Sequence, residues 1–181
     1  MFPLFFTITT IPQKSPKIKT VIFPKIVVYK IRVVKMENSY LEVLNNRRQI
    51  EFTNIKNCNK YTSKYGLTLS DNDIGNILKK REETLKNTGR IEFREGIIDK
   101  LIKEFCDSQY IAKENYMETL YKLVDIFYEY KNETMDLITD DELIKFMKKS
   151  FEGVAGGDLE YLSGTIMYKM KKELLKGKPL N

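Results

Sequence analysis

From Met36 onward the apolar residues of this chain return every three or four positions, the spacing of one face of an α-helix. A first segment over about 46–64 carries Ile50, Phe52, Ile55, Cys58, Tyr61 and Tyr65 and stops at Gly66. Ser70 then opens Ser-x-x-Asp73, a variant of the capping box that satisfies the first free amides of a helix. That helix carries Ile74, Ile77, Leu78 and Leu85, and Gly89 supplies its left-handed stop. After a short bridge, Arg90 to Glu95, a helix from about Gly96 sets Ile97, Ile98, Leu101, Ile102 and Phe105 on one side.

The clearest helix covers 114–131. Tyr116, Leu120, Leu123, Val124 and Phe127 form one apolar stripe, and Met117, Tyr121 and Tyr128 form a second beside it. Only Glu118, Lys122, Asp125 and Glu129 remain as a narrow polar stripe. A helix apolar around most of its circumference lies at the centre of a bundle or beneath a partner, and a central place is expected here. Thr139-x-x-Glu142 caps a helix with Leu143, Ile144, Phe146, Met147 and Phe151, ended by Gly153. Gly156-Gly157 makes a turn, and Asp158 caps a last helix of Leu159, Leu162, Ile166, Met170 and Leu174. The expected fold is therefore all-α: a single compact bundle of five or six helices between about 40 and 176.

Residues 1–35 follow another pattern. Four of the chain's five prolines (Pro3, Pro12, Pro16, Pro24) fall there, and the run Lys25–Val34 is β-prone but has no evident strand to pair with. This stretch holds seven basic residues and no carboxylate, so the remaining 24 of the 31 Lys and Arg face all 25 Asp and Glu in 36–181. The pI near 9.1 thus belongs to a basic arm, while the helical body is close to neutral. Two parts follow: a basic, poorly ordered arm over 1–35 and a helical domain over 36–181. Cys58 and Cys106 lack CxxC spacing and read as reduced, buried thiols. With no membrane-length apolar run and no basic-then-apolar signal order, the cytoplasm is expected.

Candidate chemistry is sparse. The chain has no histidine, which removes the neutral-pH imidazole base and every His-dependent nucleophile. Arg90-Ile-Glu-Phe-Arg94 offers Arg90 and Arg94 as a clamp for an anion or carboxylate; the simpler reading buries Ile91 and Phe93 and leaves surface ion pairs. Residues 131–142 resemble half a calcium loop. Lys131 at its first position and Asp136 where the sharp turn wants glycine defeat that reading, and a capped helix start is expected instead. Cys106-Asp-Ser108 has no base beside it. The polar residues that a site would draw on are Arg90, Glu92, Asp107, Lys131, Asn132 and Glu133. Nucleic-acid contacts, if made, would come from Lys14, Lys17, Lys19 and Lys25 of the arm and from Lys169 and Lys172 of the last helix.

Five segments carry a resemblance. Gly89-Arg-Ile-Glu-Phe93, Phe105-Cys-Asp-Ser-Gln-Tyr110, Phe127-Tyr-Glu-Tyr-Lys-Asn-Glu133, Thr139-Asp-Asp-Glu-Leu143 and Gly157-Asp-Leu-Glu-Tyr-Leu162 occur in this order. Over about 55–170 the chain resembles a domain-of-unknown-function family of small all-helical proteins from clostridial-type anaerobic bacteria. The resemblance implies a short cytoplasmic protein and assigns no activity, cofactor or residue role. The arm has no counterpart in it, so 1–35 is expected to be disordered or translated from an upstream start codon.

The leading functional expectation is a non-enzymatic helical module that binds another protein. It rests on the lack of a catalytic constellation, on the apolar circumference of the helix over 114–131, and on the neutral body. A nucleic-acid-associated protein is the second reading. An enzyme working through Glu92, Asp107 or Glu133 with Lys131 is the third. No metal site, cofactor or membrane is expected.

Overall fold

A computed structural model describes the backbone of residues 23–92 and 96–178, with side chains from residue 42 onward. The chain divides after residue 42, and the helical domain is the unit over 43–181. Helix α1 (Phe23–Thr62) ends in a 3₁₀ turn, Ser63–Tyr65, and Gly66 closes it in the left-handed region. Then follow α2 (Asp71–Thr88), α3 (Ile98–Phe105), α4 (Tyr116–Glu133) and α5 (Asp140–Glu152). The last helix, α6, runs without a break through an α-turn (Leu159–Tyr161), a π-helical stretch (Leu162–Met167) and a final α segment (Tyr168–Leu175). Among the described residues there is no strand.

The caps form as their residues dictate. Ser70 accepts from the Asp73 amide while the Asp73 carboxylate accepts from the Ser70 amide, and Thr139 and Glu142 do the same for α5. These contacts satisfy amides that have no partner inside the helix. Gly89 takes φ +66°, and the Arg90 amide reaches back to the Leu85 carbonyl.

Helix α4 is the centre. Leu120, Leu123, Val124 and Phe127 are fully enclosed, and Ile126, Tyr128 and Tyr130 are buried on other sides of the same helix. α2 packs along it, α3 and α5 pack on it and on each other, and the π-helical part of α6 rests on α5. The apolar circumference read from the sequence is thus covered by the domain itself.

Three departures have physical causes. The run 25–34 lies within α1, because a helix pairs its own backbone groups whereas a strand needs a neighbour. Its side chains, the residues before Phe23, and Phe93 and Arg94 lie outside the described residues. Of the face expected for this segment, Ile55 and Cys58 are buried and Phe52 packs on the core, with Thr62 added, while Ile50, Tyr61 and Tyr65 of the following turn are exposed, so the inward face of α1 is narrower than expected. In α6 the buried residues are Leu162, Met167 and Met170, and Ile166 is only half-buried. The step of five from Leu162 to Met167 spans a π-helical stretch, whose i→i+5 hydrogen bonding widens the turn and moves the inward face by one residue.

Leu120 and Ile50 are both apolar at helical spacing, yet only Leu120 touches the core. Replacing Leu120 with Ala is expected to lower unfolding free energy by about 2–5 kcal/mol. Ile50→Ala should stay within about 0.5 kcal/mol of the wild type. Urea unfolding of the two variants makes the comparison, and equal losses would refute the assigned face of α1.

Candidate functional site

The described ionisable residues fall into separate pairings rather than around one cavity. The most buried is built on Arg81, whose side chain is 9% exposed. Its Nη1 donates to Glu51 Oε2 of α1 at 2.8 Å, and its Nε is shared between Glu92 Oε2 at 2.9 Å and the Tyr128 hydroxyl at 3.0 Å. Nη2 also bonds Glu92 Oε2, and the Tyr128 hydroxyl donates to that same oxygen at 2.8 Å. Four segments therefore meet at one guanidinium: α1, α2, the α2–α3 connector and α4. Arg47 adds a bond to the Glu92 carbonyl at 3.3 Å.

Space around this cluster is tight. A Cβ on Gly96 would lie 2.0 Å from Glu51 Oε1, so a larger residue there would push the carboxylate from its place beside Arg81. Burial raises the Glu51 pKa, against the pull of Arg81 and a hydrogen bond from the Gly96 amide. Burial also pushes the Tyr128 phenol up, which keeps it a neutral donor to Glu92. A cation bonded to two carboxylates and a phenol, with the phenol donating to one of those carboxylates, is a structural interlock.

The second group fixes the loop between α4 and α5. Arg90 grips Asp136 with both Nη atoms, at 2.8 and 3.2 Å, so it does clamp a carboxylate, but one belonging to this chain. The Arg90 hydrogen bond holds the Asp136 carboxyl below the usual Asp range. Lys131, 10% exposed, lies 2.8 Å from Asp140 and 3.6 Å from Asp136, and its ammonium donates to the Ile138 carbonyl. That ammonium stands among the oxygens a calcium ion would need. Met135 and Asp136 adopt φ of +50° and +58°, a left-handed conformation that non-glycine residues rarely take. Ile138 plugs the loop into the core, while Met135 and Leu137 point outward at 69% and 60% exposure. Beside Arg90, Ile91 is 76% exposed, so its expected place in the core is corrected: Arg90, and not Ile91, ties the connector to the domain here.

The other candidates lie apart. Asp107 pairs with Lys148 at 2.6 Å, and that bond lowers its pKa; Lys148 also holds Glu152 at 2.7 Å. Glu133 pairs with Lys171 of α6 at 2.9 Å, and Asn132 is exposed, lending its carbonyl to the Met135 amide. Lys172 lies over the Tyr168 ring at 4.5 Å, and Lys169 is exposed. Lys14, Lys17 and Lys19, and the side chain of Lys25, lie outside the described residues. Both cysteines are free and buried; burial lifts Cys58 to about 11 and raises Cys106, so both stay protonated at neutral pH. Among the described residues no group of acidic or thiol side chains is arranged to hold a metal, and no helix is long and apolar enough to cross a membrane.

Sequence reasoning missed Arg81 and the outward pair Met135 and Leu137. Arg81 sits in Lys79-Lys-Arg-Glu-Glu83, which reads as a solvated run. Its spacing of seven from Ile74 and three from Leu78 places it on the buried face, and that was the available signal.

Fold and pairings together define an all-helical domain whose polar side chains are committed mainly to holding its own segments. The chain belongs to a family of unknown function (DUF6323), whose model matches residues 54–179. No curated protein and no solved structure matches it.

The Arg90–Asp136 clamp sets a pH dependence. Because the folded-state pKa of Asp136 is lowered, the clamp contributes fully above the unfolded Asp value and is lost as pH falls through the lower, folded one. Met135 and Leu137 methyl resonances should hold steady between about pH 5 and 8 and move together only below about pH 4. Arg90→Gln should shift that transition upward; an unchanged transition would refute the clamp.

Proposed function

We propose that this protein is a non-enzymatic helical module that binds another protein in the cytoplasm of a clostridial-type bacterium. The observation that carries the reading is the α4–α5 loop. Two large apolar side chains, Met135 and Leu137, stand out from a backbone held by Arg90, Lys131 and Ile138. A left-handed conformation at a non-glycine residue costs roughly 1–3 kcal/mol and persists where surrounding contacts fix it. Here the fixed backbone displays apolar groups, which suits a partner that offers an apolar recess. Ile91 joins them, because the Arg90–Asp136 pair draws its segment beside the loop.

A pre-set loop loses little conformational freedom on binding, so affinity is not offset by ordering it. Methionine adds a flexible, polarisable contact that adapts to the recess. The charge pattern fits the same reading. Lys171 is paired with Glu133, and Lys176 and Lys178, just past α6, share Glu173, so three of the five C-terminal lysines already meet a carboxylate of this chain. The clostridial and cytoplasmic parts of the proposal rest on the motif resemblance between residues 55 and 170.

Replacing Met135 and Leu137 together with Asp is expected to abolish co-purification of a specific partner from the native cell. Thermal unfolding should shift by no more than the loop's own contribution. A photo-crosslinking residue at position 135 should join that same partner. Capture that survives the double substitution would contradict the proposal. So would full-chain binding of nucleic acid with a steep salt slope that Lys169→Glu with Lys172→Glu removes.

A further inference from the structure

Three buried side-chain oxygens have no hydrogen-bond partner among the described residues: Thr62 Oγ1, Ser108 Oγ and the Tyr116 hydroxyl. Their residues are 0%, 5% and 3% exposed, so open solvent does not serve them. An enclosed hydroxyl without a partner gives up its hydration for no return, and folded proteins rarely leave one so. Thr62 makes the point sharply. Thr53, Thr84, Thr88 and Thr134 each turn the hydroxyl back to the carbonyl four residues earlier, at 2.7–3.0 Å. Thr62 has the same carbonyl within its helix and does not use it.

The three hydroxyls stand around the two thiols. Thr62 lies one turn beyond Cys58 on the buried face of α1. Cys58 Sγ donates to the Asp99 carbonyl at 3.8 Å, and Cys106 Sγ donates to the Lys103 carbonyl at 3.3 Å. Asp99, Lys103 and Cys106 are four and three residues apart, so both thiols lie along one edge of α3. Ser108 follows in the turn that leaves α3, its amide bonded to the Phe105 carbonyl at 3.1 Å. Tyr116 opens α4. Burial raises its phenol pKa, and Cys106 and Cys58 push it the same way, which puts the phenol in reach of both thiols.

No side chain of this group is charged at neutral pH, because burial keeps both thiols and the phenol protonated. An ion seated among them would be buried without compensation, so the site takes a neutral ligand. That ligand must donate and accept at once, as hydroxyls do, and must be small enough to reach a place closed to solvent. Water meets each condition. We propose that the junction of α1, α3 and α4 is a bound-water site, in which internal water bridges the hydroxyls of Thr62, Ser108 and Tyr116. The bridge ties the last turn of α1 to the first turn of α4. It is independent of the α4–α5 loop, and failure of either assignment leaves the other standing.

Nuclear magnetic resonance of the full chain tests the site with water itself as the probe. Cross-relaxation from water should reach the Thr62 methyl group and the Tyr116 ring, with the sign of a molecule that tumbles with the protein. It should vanish in the Thr62→Val, Tyr116→Phe double variant. Thr62→Val, Ser108→Ala and Tyr116→Phe each remove one hydroxyl with little change of shape. Each should lower the urea midpoint by about 0.5 M, because each takes a partner from the bound water. The double variant should fall by less than the sum of its two singles. A midpoint that holds or rises in any single variant would overturn the proposal, since a hydroxyl with no ligand gains from its removal. Additive falls, or no cross-relaxation at Thr62 and Tyr116, would overturn it as well.

Discussion

Arg81 places a permanent positive charge inside the domain, and no arrangement that leaves it unpaired is affordable there. Its five donors need acceptors from several directions at once. Glu51 comes from α1, Glu92 from the α2–α3 connector, and the Tyr128 oxygen from the central helix. Removing one carboxylate would strand part of a buried charge, whereas an apolar interlock would tolerate sliding. The network therefore sets position more than it adds stability. Gly96 is part of the same constraint, since its missing Cβ is the space that Glu51 occupies.

This constraint reaches the outer surface. With Glu92 drawn inward, the connector leaves α2 in a fixed direction, and Arg90 lies two residues earlier on the outside. From there it grips Asp136 across the gap to the next loop. The exposed side chains of that loop are in this sense positioned from the interior: Arg81 to Glu92, the connector to Arg90, Arg90 to Asp136. α4 contributes directly to the same support, because its last turn holds the loop through Lys131.

Much of this was legible in the sequence, for reasons that are local. Capping boxes at Ser70 and Thr139, the glycine stop at 89 and the all-round apolar pattern of 114–131 act within one or two turns, and each formed as expected. What escaped depends on distant partners. Ile55 and Cys58 lie inward as their spacing says, but nothing near Ile50 or Tyr61 says that they stay outside, while Glu51 next to Ile50 reaches Arg81. The π-helical register of α6 was hidden because a 3.6-residue period cannot register a step of five. Arg90 and Glu92 stood among the candidates for a site. The structure gives them separate duties, Arg90 clamping a surface loop and Glu92 closing the buried network.

The central claim is that Arg81 and its carboxylates act as one interlocked unit and not as independent surface pairs. A double-mutant cycle on Arg81 and Glu92, read from unfolding free energies of Arg81→Met, Glu92→Gln and the combined variant, addresses it most directly. A coupling of about 2 kcal/mol, with the double variant losing far less than the two singles together, is predicted. Additive losses, with coupling below about 0.5 kcal/mol, would contradict it.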